Sequence, residues 1–360
     1  MTCPNCQTEC KRKGYDRKGN QRFQCRQCFK TFLEPRQKPL DGMYLPIEKA
    51  EMILKLLLEG NSVSSVSRLL DVHIVTILKL LVKAGEKCET IMAKRIRDVE
   101  VRDVECDELW AFIGKKQKRV KPSDDPNKGD CYTFVAIERH SKLVLNVACG
   151  KHDQATTDIF IEGLRHATRG EFQITTDGFV PYVSAITTTL SDRCDFAQLI
   201  KVYRANSEGE ARYSPAEVAS VEAVPVMGRP DPERMCTSIV ERNNLSTRMS
   251  VRRFTRLTNA FSKKWENHWA AVAVWFAFYN FCRVHKSLRV HARDGCGNQQ
   301  PHLERTRTTG GCVIRWLPYL SRPPPAGTHK YQTTRWTQNC GNWIASLGQS
   351  GTNRELRSFL

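Results

Sequence analysis

Apolar residues recur at two different periods along this chain, and the change of period divides it. Ile47, Ala50, Ile53, Leu54 and Leu57 fall at the spacing of one helical face. Gly60-Asn61 ends that helix, and Ser62 is placed to cap a second, short one through Leu70. Asp71-Val72-His73 predicts a tight turn, followed by a third helix over about 74–83 and a helical connector over 86–98. From Val99 the period becomes that of strands, predicted over 99–113, 132–138 and 142–149, with Ser141-Lys142 as a hairpin turn. An amphipathic helix is predicted over 154–166, with Ile159, Phe160 and Leu164 inward. Phe172 to Thr176 reads as a strand ending at Asp177-Gly178, then come a helix over 182–190 and a strand over 196–202. Residues 204–235, rich in Pro, Gly and charge, are expected to form an irregular insertion. A helix over 237–248 and a buried helix over 269–281 complete the regular part, with Trp265, Trp269, Val272, Trp275 and Phe276 packing the last helix onto the sheet.

The order β-β-β-α-β-α-β-α describes an α/β fold: a ribonuclease-H-like mixed sheet with flanking helices, preceded by a small cysteine-rich ribbon and an all-α unit. The expected divisions are a ribbon at 1–35, a helical unit at 44–90, a sheet domain at 98–290 and a tail at 291–360. In such a sheet the first and fourth strands lie side by side.

Charge narrows the partner. Lys and Arg number 56 against 38 Asp and Glu, a net charge of +18, which favours nucleic acid or an anionic membrane face. The apolar run 269–281 is too short to span a bilayer and contains Asn280, so double-stranded DNA is the expected partner and no membrane. The start, Met1-Thr-Cys-Pro-Asn-Cys, lacks the pattern of a signal peptide, so the fifteen cysteines are expected as metal-bound or free thiols in a reducing cytoplasm, with the protein on the nucleoid.

Cys3-x-x-Cys6 and Cys25-x-x-Cys28 are separated by eighteen residues, the two-knuckle spacing of a four-thiolate Zn²⁺ site, and Cys10 falls outside it. Lys11, Arg12, Lys13, Arg17, Lys18, Arg22, Arg26 and Lys30 are interleaved with Tyr15, Phe23, Phe29 and Phe32. They suit either a DNA-contacting ribbon or a solvated basic surface with stapling aromatics. The three helices that follow match a helix-turn-helix unit whose last helix presents His73, Thr76, Lys79 and Lys83 to the major groove, or else a plain three-helix bundle.

Three acids suggest chemistry. Asp107 interrupts a strand-like run, Asp177 ends the adjacent strand, and Glu241 lies on a helix. Strand alternation sends Asp107 and Glu108 to opposite faces, so Asp107 is chosen and Glu108 set aside. Gly178 is expected to leave open backbone where a phosphate approaches. Glu241, Asn244 and Arg248 share one helical face, offering a carboxylate to a metal and the Asn244 amide and Arg248 guanidinium to DNA, unless they form an ordinary surface ion pair. Carboxylates without His or Cys are the environment of Mg²⁺ or Mn²⁺. The loop carrying Lys115, Lys116, Lys118 and Arg119 is assigned either to phosphate tracking or to solvent.

Cys106-Asp107-Glu108-Leu109-Trp110, Thr176-Asp177-Gly178-Phe179 and Val240-Glu241-Arg242-Asn243-Asn244 resemble the acidic blocks of DDE transposases, in particular small bacterial insertion sequences of the insertion-sequence-one family. Residues 279–288, with His285-Lys286-Ser287-Leu288, are similar to the segment that closes their catalytic domain, and the ribbon and helix-turn-helix occur in the same order. The resemblance covers about residues 1–290. It implies binding to terminal inverted repeats, cutting at the ends of a mobile element, joining of 3′-hydroxyls to a target, and a dimer or larger assembly that synapses two ends. A non-catalytic DNA-binding repressor and a ribonuclease-H-like nuclease or resolvase are the alternatives.

After Val290 the periodicity stops. Relatives usually continue with Thr-Pro-Ala-Met. With synonymous codons chosen as CAC GCC CGC GAT GGC TGC GGG AAT for His291 to Asn298, reading one base later with a C following gives Thr-Pro-Ala-Met-Ala-Ala-Gly-Ile. A frameshift near Val290 is therefore inferred, with an aberrant, disordered tail over 291–360.

Overall fold

The structure is a computed structural model and describes residues 1–3, 5–17, 19, 21–33, 40, 42–204, 217–255 and 258–295. Strands β1 (Cys10–Tyr15), β2 (Gln21–Cys25) and β3 (Thr31–Leu33) form an antiparallel three-stranded sheet. Helices α1 (Ile47–Leu58), α2 (Val63–Leu70) and α3 (Ile74–Arg95) follow. The Ser62 side chain caps α2 by accepting the Ser65 N–H at 3.0 Å. Asp71 makes the turn into α3 in the left-handed conformation, φ 49°.

The second half contains β4 (Val99–Glu100), β5 (Asp103–Ile113), β6 (Gly129–Glu138), β7 (Val144–Gly150), α4 (Gln154–Ala167), β8 (Thr168–Arg169) and β9 (Phe172–Thr176). It continues with α5 (Pro181–Thr189), β10 (Cys194–Arg204), β11 (Glu217–Met227), α6 (Ser238–Ser250), α7 (Trp265–Phe281) and α8 (Ala292–Gly295). Six strands form one mixed sheet in the order β11-β10-β9-β5-β6-β7, while β4 and β8 form a separate parallel pair. β5 is antiparallel to β6 and parallel to β9, so the first and fourth expected strands are neighbours. Phe160, Ile161 and Leu164 of α4 and Tyr182 and Ile186 of α5 bury one face of the sheet. Trp269, Trp275 and Phe276 of α7 and the inward residues of α1–α3 pack with Leu109, Val135 and Val144 on the other.

Several expectations change. α3 does not stop near Lys83, because Leu80, Leu81, Ala84, Gly85 and Cys88 are all buried and one inward face continues through the polar stretch. On α4, Ile159 is exposed and Ile161 takes its inward place, because the apolar stripe centres one residue later than the pattern suggested. Residues 217–227 are a strand, not part of an irregular insertion. β11 is an edge strand, and Pro225 sits at a shift of register against β10, where a missing N–H is tolerated. The intervening 205–216, like Lys18, lies outside the described residues. The tail does not begin in disorder: α8 is helical, and Ala292 is fully buried in the same core as Phe160. From 296 onward it lies outside the described residues.

The helical unit is docked onto the sheet domain. A Cβ at Gly85 would lie 2.6 Å from Ala270 Cα, so α3 and α7 touch backbone to backbone. Gly to Ala within a helix normally gains about 1 kcal/mol. Here overpacking is expected to outweigh that gain, so Gly85→Ala should lower unfolding stability by about 1–3 kcal/mol in urea denaturation. An increase would show that the helices are not in this contact.

Candidate active site

β5 carries acids at positions 103, 105, 107 and 108, and the first three alternate onto the face covered by α6. Asp103 Oδ1 accepts from Arg234 Nε at 2.7 Å, and its Oδ2 meets His140 Nε2 at 2.7 Å. Burial pushes this carboxyl up, but the His140 and Arg234 hydrogen bonds outweigh it and hold the group below its ordinary value. Glu105, only 1% exposed, accepts the backbone N–H groups of Ile239 and Val240 at 2.8 and 2.9 Å. A carboxylate is favoured at that position by the unpaired amides and dipole of the α6 N-terminus. Asp107 Oδ2 accepts from Asn244 Nδ2 at 2.7 Å. The segment 234–244 is thus fastened along β5 by one acid at every second residue.

The β5–β9 pairing runs from Asp103 opposite Gln173 to Glu105 opposite Thr175 and then stops. Continued by two residues, the same register would set Asp107 opposite Asp177. The two aspartates therefore stand where parallel strands part, and Asp177 is steadied by accepting the Phe179 N–H at 3.0 Å. Carboxylate oxygens of Asp107, Glu108 and Asp177 all lie within 4.8 Å of one another. Glu108 is the acid that alternation had set aside. Alternation assigns faces only within a paired sheet, and beyond the last β5–β9 pair Asp177 is reachable from either face. Gly178 has no left-handed φ, and a Cβ there would only touch Ile200 at 3.4 Å, so this backbone does not demand a glycine.

Two of the three carboxyls, Asp107 and Asp177, resist ionisation. Burial, then the charge of Glu108, pushes Asp107 up to about 7. The same two causes push Asp177 up to about 6, with Phe179, His152 and Lys201 opposing them. Glu108 Oε1 is buried without a well-formed hydrogen bond among the described residues, although the buried Tyr182 hydroxyl stands beside this carboxyl. An orphaned buried oxygen beside two reluctant acids suits a hard divalent cation, which would satisfy the acceptor and offset the repulsion.

The remaining expected residues are more dispersed. Glu241 is on α6, one turn before Asn244, but is ion-paired to Lys201 of β10 and accepts from Thr237 Oγ1 at 2.7 Å, so it stands apart from the gathered oxygens. Asn244 is 5% exposed and turned to Asp107, which leaves it no surface for the expected DNA contact. Arg248, one turn further, is half-buried. Lys115 is held by Asp124 at 2.5 Å, and Asp124 also binds Lys128 and accepts the Lys121 N–H. Lys116, Lys118 and Arg119 are exposed on that braced loop. His73 caps α3 by accepting the Val75 N–H, Lys79 is exposed, and Thr76 and Lys83 are half-buried.

Sequence reasoning missed His152. Its Nε2 lies 3.8 Å from Glu108 Oε2, and its ring is sandwiched between Phe179 at 3.6 Å and Tyr132 at 4.3 Å. No periodicity points to it, since it lies in the short turn between β7 and α4.

At the N-terminus, sulfurs of Cys3, Cys6, Cys25 and Cys28 lie within 4.8 Å of one another. The Cys3–Cys28 and Cys6–Cys25 sulfurs are 3.6 and 3.3 Å apart. A tetrahedral ion with bonds of about 2.3 Å separates its ligands by about 3.8 Å, so the donor set fits zinc. The Thr8 hydroxyl and the Cys28 and Gln27 amides pull the Cys25 thiol down to about 5, toward the thiolate that a metal requires.

No protein-family model and no curated protein sequence matches the chain. Among solved structures it is similar to a Mos1 transposase paired-end complex with left transposon end, at 12% identity and TM-score 0.19. That match covers 45% of this chain and 59% of the other, so the chain spans less than two thirds of that transposase. A piggyBac transposase synaptic complex with hairpin DNA matches at 10% identity and TM-score 0.33, covering 82% and 79%. A pre-cleavage Mos1 transpososome matches at 9% identity and TM-score 0.26, covering 81% of each chain. At such identities and TM-scores the likeness carries no weight for this chain's chemistry, which rests on its own geometry. Among the described residues no helix is long and apolar enough to cross a membrane.

A carboxyl whose folded-state pKa stands above its unfolded value stabilises the fold while protonated and loses that contribution as pH rises through the folded value. With Asp107 up at about 7 and Asp177 at about 6, stability without divalent ions should fall as pH rises from about 4 to above 7. Asp107→Asn should raise the Tm of the divalent-free protein at pH ~8 and flatten that fall. An unchanged slope in a pH series of thermal melts would contradict the crowding of these acids.

Proposed function

We propose that the chain is a DNA transposase of the DDE type, which binds the terminal inverted repeats of an insertion sequence and cuts and joins DNA by in-line attack. The observation that carries the reading is the gathering of Asp107, Glu108 and Asp177 at the parting of two parallel strands, with Asn244 of α6 on Asp107. In this reading the sheet domain has the ribonuclease-H-like fold. Asp107, Asp177 and Glu241 are the catalytic acids and ligands for Mg²⁺ or Mn²⁺, with Glu108 beside them. Glu241 joins the set by leaving Lys201. Held by these acids, divalent ions would supply activation of a water or a DNA 3′-hydroxyl and stabilisation of the departing oxygen. The chain's own part is positional. Asn244 fixes one oxygen of Asp107, Glu105 fixes the start of the helix that carries Glu241, and the Phe179 amide fixes Asp177.

The rest of the chain brings DNA to this point. Cys3, Cys6, Cys25 and Cys28 hold Zn²⁺ in a ribbon, and α1–α3 act as a helix-turn-helix with Thr76, Lys79 and Lys83 toward the duplex. Lys116, Lys118, Arg119 and Arg248 face phosphates, while Lys115 serves mainly to brace its loop against Asp124. Joining two ends calls for at least a homodimer, working on the nucleoid.

Strand-transfer assays with Mg²⁺ on DNA carrying the element's ends test the proposal. Asp107→Asn and Asp177→Asn should abolish cutting and joining while end binding persists. Asn244→Ala, which removes only the support of Asp107, should slow joining about 10- to 100-fold. Cutting without joining by the unaltered chain would favour a nuclease, and end binding without either would favour a repressor. Elemental analysis should find one zinc per chain, lost in Cys25→Ser together with most end binding. A zinc-free native chain would remove the ribbon from the proposal.

A further inference from the structure

The acids lie at one end of an open aromatic surface that the proposed chemistry does not use. On the face of β5 opposite α6, Val104 and Cys106 are buried in the core formed with α4 and α5. Beyond Glu108 this cover ends, and Trp110 and Phe112 are only half-buried. Trp110 is the cross-strand partner of Tyr132 on β6, so both side chains belong to this face of the sheet. Tyr132 in turn stacks on His152, the residue that reaches Glu108. From Trp110 a second file of rings leads away through Phe112, 5.8 Å off, to Phe261, stacked 4.7 Å beyond it. Two residues of strand separate Glu108 from Trp110, about 7 Å.

Beside Trp110 is an open concavity of ≈ 460 Å³ lined by Trp110, Lys116, Gln117, Lys118 and Asp130. The concavity is shallow and open to solvent beside the ring, not an enclosed cleft. The two lysines belong to the loop braced by Asp124, so their charge is carried on a fixed support. Asp130 accepts the Gln117 N–H at 3.3 Å, and Gln117 Oε1 accepts the Asp130 N–H at 3.1 Å. This pairing spreads the one negative charge in the concavity and leaves amide and carboxylate groups for the edge of a base.

Resting on the DNA reading of the acids, we infer that this surface is a track for an unpaired DNA strand, with a base stacked on Trp110 and its phosphates against Lys116 and Lys118. An aromatic floor with flanking cations is what a single strand recognises. Every base has a face to stack, and that face becomes accessible only once pairing and neighbouring stacking are broken. A duplex presents the same floor with only edges and backbone. The track runs from the acid cluster outward, so it holds the strand that continues from the phosphate under attack. The occupant is therefore a strand already opened next to the cut.

The test is equilibrium binding of the full-length chain, without added magnesium, to a short labelled oligothymidylate and to a duplex of equal length, followed by fluorescence anisotropy. Trp110→Ala should weaken binding of the single strand about tenfold and leave the duplex nearly unchanged. Trp110→Phe, which keeps a ring, should retain most of the single-strand binding. Equal losses for both DNAs, or no loss for either, would overturn the inference, as would free thymidine monophosphate binding as tightly as the oligonucleotide. Because an altered Trp110 could disturb the sheet, the unaltered chain is also photo-cross-linked to an oligonucleotide carrying 5-iododeoxyuridine. The label should attach to peptides containing Trp110 or Tyr132, and attachment confined to the N-terminal ribbon would refute the track. Binding here needs no metal, so failure of the acids to support joining and failure of the track register separately.

Discussion

Burying a carboxylate at every second position of a central strand is costly, and in this protein the cost is met by fastening a helix. Asp103, Glu105 and Asp107 each lose water on the same face of β5, and each receives a donor from the one segment 234–244: a guanidinium, two backbone amides and an asparagine amide. Buried charges are tolerated only when hydrogen-bonded in this way. These bonds hold the segment at three points two residues apart on β5, so α6 has one register along it. That register brings Asn244 to Asp107 and sets where Glu241 stands. It also leads α6 toward the short turn at Arg252–Phe254 and the Trp275 contact, where Trp275 Nε1 donates to Thr247 at 2.9 Å.

The row of donors ends at Asp107, and there the sheet opens. Up to Glu105 the acids serve the fold. Past that point the β9 pairing is gone, and carboxylate oxygens of Asp107, Glu108 and Asp177 come within 4.8 Å of one another. Burial first, and the charge of Glu108 second, raise Asp107 and Asp177. Within three residues of one strand, acids that fasten a helix give way to acids gathered with one another. The lysine of β10 that holds Glu241 also lies in the field of Asp177, so its amine is shared between two acids. A divalent cation would relieve what one lysine does not.

Much of this was legible in the residues. The cysteine spacing anticipated the sulfur cluster, and the order of strands placed β5 beside β9 and hence Asp107 toward Asp177. Glu108 was not legible, because its inclusion depends on where strand pairing stops, which no periodicity records. β11 was hidden by Pro225 and by charge, both acceptable on an edge strand and both read as loop. Asn244 sits on the expected helical face, but its use as a support for Asp107 depends on α6 lying flat on β5, a tertiary fact. His152 and Lys201 reach the site from outside any motif, by the folding of a turn and of a neighbouring strand.

The central claim is that a divalent cation is held where β5 and β9 part. Anomalous diffraction from crystals soaked in Mn²⁺ addresses it directly. The expected result is a peak at bonding distance from carboxylate oxygens of both Asp107 and Asp177, absent in Asp177→Asn crystals. A soaked crystal with no peak at these aspartates, or with manganese only at other surface acids, would contradict it.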